Sequence, residues 1–169
     1  MHEFFHAVSV FFNELASVSW TALAIALGLH LARILLRTLA YRNIVRAAYP
    51  EECCGALLGT AGNGAVRVSR VERIENSSRE EKRRRYVIAP LEYARVERLA
   101  DADGLAVLGF YHSHPDHPAV PSDYDREHGL PFFHYVVLAV GPESSGEIAS
   151  YLLSEDRGVF EREELLVEE

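Results

Sequence analysis

With 169 residues, 49% of them apolar, the chain is long enough for one domain with its own core and too apolar to be disordered. Its formal charge of −8 is unevenly spread: residues 1–50 carry four Arg and two Glu, whereas residues 51–169 carry 13 Lys+Arg against 23 Asp+Glu. An acidic body argues against nonspecific nucleic-acid binding, which rests on cation–phosphate contacts.

Residues 15–32 hold no Asp, Glu, Lys or Arg. Such a run is near the lower limit for spanning a bilayer, and it also contains Ser17, Ser19, Thr21 and His30. Two Glu precede it and four Arg follow it, so by the positive-inside rule its C-terminal side would be cytoplasmic. The flanks do not suit a cleaved signal peptide. Two readings stand: a membrane anchor, or an ordinary helix packed against the domain or a partner. Both divide the chain into a hydrophobic helical extension over residues 1–43 and a domain over residues 44–169. Both also place that domain in the cytoplasm, tethered to the inner face of the membrane in the first case.

Ile44–Tyr49 reads as a helix stopped by Pro50. The adjacent cysteines, Cys53 and Cys54, would point to opposite faces of a strand, so no mutual disulfide is expected, which fits a reducing compartment. Gly55–Thr60 is a short apolar strand. Gly62-Asn63-Gly64 is a tight-turn signal that returns the chain as Ala65–Ile74. The alternation of that arm breaks near Ser69-Arg70, where a bulge would fit. Glu75–Arg85 is polar and basic at its end. It reads as a solvated loop or, more sharply, as a patch that recognises an acidic partner or a carboxylate. Tyr86–Ile88 reads as a strand. Pro90 suits the start of a helix over Leu91–Asp103, with Leu91, Val96 and Leu99 as its core stripe and Gly104 ending it.

Leu105–Tyr111 is apolar and reads as a buried strand. His112 and His114 follow it. Residues i and i+2 of a strand share a face, so both imidazoles would emerge on one side. Pro115, Pro118 and Pro121 then impose a stiff loop. Ser122 is a good N-cap, with Asp125 in the first turn of a short helix closed by Gly129 and Pro131. Two His and one Asp could thus meet at one point, the pattern of a catalytic zinc site with an open fourth position. Strands over Phe132–Val140 and Ile148–Leu153 follow, and Val159–Leu166 is a last segment, strand or helix. About six strands and two or three helices in mixed order give an α+β domain, three-layer α/β/α-like.

The spacing His112-x-His114, seven residues, Ser122, two residues, Asp125 resembles the signature of the JAMM (MPN+) metalloproteases. Pro50-Glu51-Glu52-Cys53-Cys54-Gly55 resembles the segment that carries that family's glutamate, which falls here on Glu52. Asn76, Tyr86–Pro90 and Gly109–Pro115 resemble the compact prokaryotic members. The resemblance covers about Ile44 to Leu166 and leaves out the first forty or so residues. It implies a curved mixed β-sheet flanked by helices. It also implies Zn²⁺ held by His112, His114 and Asp125, with Glu52 as the proton-transfer group. Ser122 has the family's oxyanion role, but it is also placed to cap the helix, and the sequence leaves both uses open. The implied activity is that of a metallopeptidase or isopeptidase. It cleaves an amide bond after the C-terminal glycine of a ubiquitin-like or sulfur-carrier β-grasp protein.

Two rival readings compete. His112-x-His114-x-Asp116-His117 also matches the metallo-β-lactamase-type signature, but it leaves Ser122, Asp125 and the Glu52 segment unexplained. The other rival is a scaffold of the same family that binds a partner protein without metal.

Overall fold

The structure is a computed structural model that describes residues 44–62, 65–143 and 145–165. The expected extension over residues 1–43, with its candidate anchor, lies outside the described residues. Among the described residues no helix is long and apolar enough to cross a membrane.

The domain is built on one six-stranded sheet: β1 (Cys54–Gly62), β2 (Ala65–Ile74), β3 (Ala106–Pro115), β4 (His134–Val140), β5 (Ser145–Leu153) and β6 (Phe160–Glu163). Two helices interrupt the strands, α1 (Pro90–Ala102) and α2 (Asp123–His128), and a further helical turn covers residues 44–48. The strand order is β2-β1-β3-β4-β5-β6. Every neighbouring pair is antiparallel except β3–β4. A parallel pair cannot be closed by a tight turn, so residues 116–133 must cross back, and this crossover carries α2. The crossover lies against the sheet: Ala119 is buried among Val137, Ala149 and Tyr151, and the Tyr151 hydroxyl donates to the Ala119 carbonyl at 2.8 Å.

Period-two alternation sorts the side chains onto two faces. Cys54, Ala56, Leu58, Phe110 and Tyr135 pack with Val96 and Ala100 of α1 on one face. Cys53, Leu57, Tyr111, Leu138 and Val140 pack with Val45 on the other. A sheet with helical residues packed on both faces is the mixed α+β, three-layer arrangement expected. The two cysteines are free and buried in different clusters, which follows from their adjacency on an extended chain.

The bulge anticipated near Ser69-Arg70 is present. Leu58 pairs with Arg70 and Gly59 with Val68, so Ser69 is passed over. On the other side of β1, Leu57 pairs with Gly109 and Leu58 with Val107, passing over Leu108. Bulges on both neighbours at the same point of β1 bend the sheet there.

Three expectations need correction. Tyr86–Ile88 is not a strand. The Asn76 side chain accepts from Val87 N–H at 3.2 Å and the Val87 carbonyl accepts from Ser77 N–H, so this segment is held by a side-chain amide rather than a ladder. Leu91 is 83% exposed, because the core stripe of α1 runs through Tyr93, Val96 and Ala100. β3 continues through His112 and His114 to Pro115. Pro115 is tolerated because the ladder to β1 has ended before it, and on the other side the next residue, Asp116, donates its N–H to the Val140 carbonyl at 2.8 Å. The final segment, left open between strand and helix, is the short strand β6.

Candidate metal centre

The antiparallel register of β1 and β3 places Cys54 opposite His112. The pairing extends one step further, since Ser113 N–H donates to the Cys53 carbonyl at 3.0 Å and Cys53 N–H donates to Ser113 Oγ at 2.9 Å. Glu52 therefore comes opposite His114, and by parity it shares the face of both histidines. A residue sixty positions upstream thus reaches the site through strand pairing. Glu52 is 6% exposed, His112 0% and His114 8%.

The third donor comes from the crossover. Ser122 caps α2 and Asp125 occupies its first turn, buried at 7% exposure. The Nε2 atoms of His112 and His114 are 3.0 Å apart. Asp125 Oδ1 lies 3.5 Å from His112 Nε2, and Oδ2 lies 3.6 Å from His114 Nε2. His114 Nδ1 is 3.0 Å from the Pro118 carbonyl, so Nδ1 is the protonated nitrogen and Nε2 turns its lone pair to the cluster.

Burial by itself would raise the Asp125 pKa. The two histidines and Ser122 outweigh it and hold the carboxyl well below the usual carboxylate range. Burial lowers His112. Burial also opposes charge on His114, but Asp125 and the Pro118 carbonyl prevail and lift it. Glu52 moves the other way from Asp125. Desolvation pushes it from 4.5 up to about 7, with His114 opposing and Asp125 assisting.

These donors fit zinc. Two imidazole nitrogens and a carboxylate oxygen lie within 4.8 Å of one another and all three residues are buried. Zinc–nitrogen bonds of about 2.0–2.1 Å at a tetrahedral angle separate two ligating nitrogens by about 3.3 Å, close to the spacing observed. The bond from His114 Nδ1 to a carbonyl is the outer-shell support that ligating histidines usually have. Among the described residues His112 Nδ1 has no hydrogen-bond partner. Its ring is instead held by Tyr86, stacked at 4.6 Å between centroids.

Tyr86 and Asn76 are the residues whose part in the site the sequence reading missed. Asn76 Nδ2 donates to the carbonyls of Glu52 (3.1 Å) and Arg85 (3.0 Å). Its Oδ1 accepts from Ser78 N–H and Val87 N–H. One side chain thus ties the Glu52 backbone to the segment carrying Tyr86. In the sequence Asn76 stands out only through the resemblance to the compact prokaryotic members; its fourfold bonding has no local signal.

The metallo-β-lactamase-type signature gains nothing from the geometry. Asp116 has φ 60 and turns its carboxylate to the Tyr49 hydroxyl, at 3.2 and 3.3 Å, and towards Arg83 at 3.9 Å. His117 is exposed. Neither belongs to the donor group formed by His112, His114 and Asp125.

A family model described as prokaryotic homologs of the JAB domain matches residues 38–153. The desampylase of Haloferax volcanii is 34% identical over 94 residues, which are 56% of this chain and 65% of that protein. Among solved structures, a protein of Salinibacter ruber is 41% identical with TM-score 0.57, covering 72% of this chain and 80% of that one. A protein of Desulfitobacterium hafniense is 27% identical with TM-score 0.67, covering 81% and 90%.

Proposed function

The chain belongs to the prokaryotic homologs of the JAB domain, and from that premise we propose that it is a zinc-dependent hydrolase. Its bond is the amide that follows the C-terminal glycine of a ubiquitin-like or sulfur-carrier protein. The observation that carries the reading is the buried trio His112, His114 and Asp125 with Glu52 on the same face. The likeness to a desampylase supports an isopeptidase acting on a small ubiquitin-like protein.

In this reading His112, His114 and Asp125 hold the ion. A zinc ion held there supplies a Lewis acid and draws the pKa of a water towards neutrality. Glu52 accepts the proton of the attacking water and returns it to the departing amine. Its carboxyl, pushed up to about 7 by burial, is suited to both steps near neutral pH, and a cation beside it draws that value down. Asp125 has its two oxygens in different roles. Oδ2 accepts from Ser122 N–H at 2.7 Å and from Ser122 Oγ at 2.6 Å, which leaves Oδ1 for the ion. Ser122 is the donor to the tetrahedral oxyanion. To serve it, the hydroxyl leaves Asp125, whose Oδ2 stays satisfied by the Ser122 N–H.

Against the rival scaffold reading, this chain keeps each residue of the pattern. The test is to offer the zinc-loaded protein a ubiquitin-like protein joined through its terminal glycine to a lysine side chain. Release of the intact modifier by the wild type, and none by Glu52→Gln with zinc still bound, supports the reading. No release by the zinc-loaded wild type contradicts it.

A further inference from the structure

We propose that Arg79–Arg85 is a basic lip that docks an acidic surface of the protein substrate whose tail enters the metal centre; this rests on the hydrolase reading above. The segment holds Arg79, Lys82, Arg83, Arg84 and Arg85 against Glu80 and Glu81, a net +3 in a chain of net −8. Its position follows from its anchors. The Lys82 carbonyl accepts from Glu52 N–H at 2.7 Å, and the Arg85 carbonyl accepts from Asn76. The Arg85 guanidinium lies 4.8 Å over the Tyr124 ring, one residue from Asp125. Arg83 approaches Asp116, two residues after His114. The lip therefore touches the segments that supply Glu52, His114 and Asp125.

Its cations are available. Arg70, Arg95, Arg126 and Arg162 each hold a carboxylate. Arg79 and Arg84 are exposed and form no ion pair among the described residues, and Arg83 keeps 65% of its side chain exposed. A cluster of exposed cations raises the local positive potential and favours anionic groups on an arriving partner. The acidic remainder of the chain disfavours a polyanion with a larger footprint, such as nucleic acid or an anionic membrane. A compact acidic domain that contacts only the lip, with an extended tail reaching the metal centre, meets both conditions.

The variant Arg79→Glu/Arg84→Glu tests this, with Arg79→Gln/Arg84→Gln as the milder form. Three quantities are read. The first is affinity for an acidic ubiquitin-like protein ending in diglycine. The second is cleavage of that protein joined to lysine, and the third is cleavage of a short uncharged peptide with the same glycine–lysine isopeptide bond. The expected result is a loss of affinity of about tenfold or more for the reversal variant, smaller for the neutral one and shrinking with salt, seen as a raised KM with kcat, zinc content and peptide cleavage kept. Unchanged affinity and KM in an enzyme that cleaves both substrates overturns the lip and leaves the hydrolase reading intact. Affinity lost in the variant while the wild type cleaves nothing keeps the lip and overturns the hydrolase reading. Wild-type binding to phosphatidylserine vesicles or to RNA that is tighter than to the acidic protein and is lost in the reversal variant also overturns the lip.

Discussion

Ser122 and Asp125 grip each other in both directions. The Ser122 hydroxyl oxygen accepts from Asp125 N–H at 3.2 Å, and the Asp125 carboxylate accepts both from the Ser122 hydroxyl and from its backbone N–H. The capping box that starts α2 is thus also the device that orients a candidate metal ligand.

Ser122→Ala should therefore weaken two things besides turnover. Loss of the cap should lower stability by about 1 kcal/mol. Loss of a ligand's outer-shell partner should reduce zinc affinity about 10- to 100-fold. Thermal unfolding with chelator and zinc titration measure the two separately. Ser122→Thr should restore most of both. A Ser122→Ala protein with wild-type zinc affinity would mean that Asp125 does not need its cap.

Glu52 gives a pH-dependent prediction. Its folded-state pKa is raised from 4.5 to about 7, chiefly by burial, so the folded protein holds that proton more tightly than the unfolded chain. Stability is unaffected below the unfolded value, falls as pH rises from 4.5 to about 7, and stays lower above. In chelator, Glu52→Gln should be more stable than wild type at pH 8, by at most about 3 kcal/mol, and no more stable at pH 4. Denaturant unfolding at the two pH values measures this. With zinc bound, the same variant should lose about 10²–10⁴-fold in kcat, the usual worth of a proton-transfer group. A stability difference independent of pH would refute the assignment of the shift to Glu52.

Much of this was legible in the sequence because the signals were local. Alternation and the Gly62-Asn63-Gly64 turn delimited β1 and β2. Pro90 marked the first residue of α1, and the broken alternation at Ser69 marked the bulge. The spacing from Ser122 to Asp125 anticipated the capping box. What was not legible depends on partners distant in sequence. The reach of Glu52 to His114 requires the β1–β3 register, which no local pattern encodes. Tyr86 read as a strand residue because its aromatic and β-branched neighbourhood favours one, yet Asn76 holds its neighbours Arg85 and Val87 by hydrogen bonds and His112 is its stacking surface. Leu91 read as core from helical periodicity, but it lies on the first turn, where Tyr93 takes the inward position.

Asn76→Ala should be unusually damaging for a polar residue, because it leaves the carbonyl of Glu52 and the amides of Ser78 and Val87 without partners. The expected loss is about 2–4 kcal/mol, from several hydrogen bonds around a buried group. Hydrogen exchange should quicken at Ser78 and Val87 and remain slow at Val137 and Ala149 in the middle of the sheet. Equal quickening throughout would show a global effect instead of a local hub.

Zinc content of the purified protein, measured beside Asp125→Ala and Asp116→Ala, tests the metal centre itself. The geometry places Asp125 among the donors and turns Asp116 to Tyr49. About one zinc per chain is expected in the wild type and in Asp116→Ala, and little or none in Asp125→Ala. Zinc kept by Asp125→Ala and lost by Asp116→Ala would contradict this expectation in favour of the rival signature, and no zinc in any of the three would leave a scaffold.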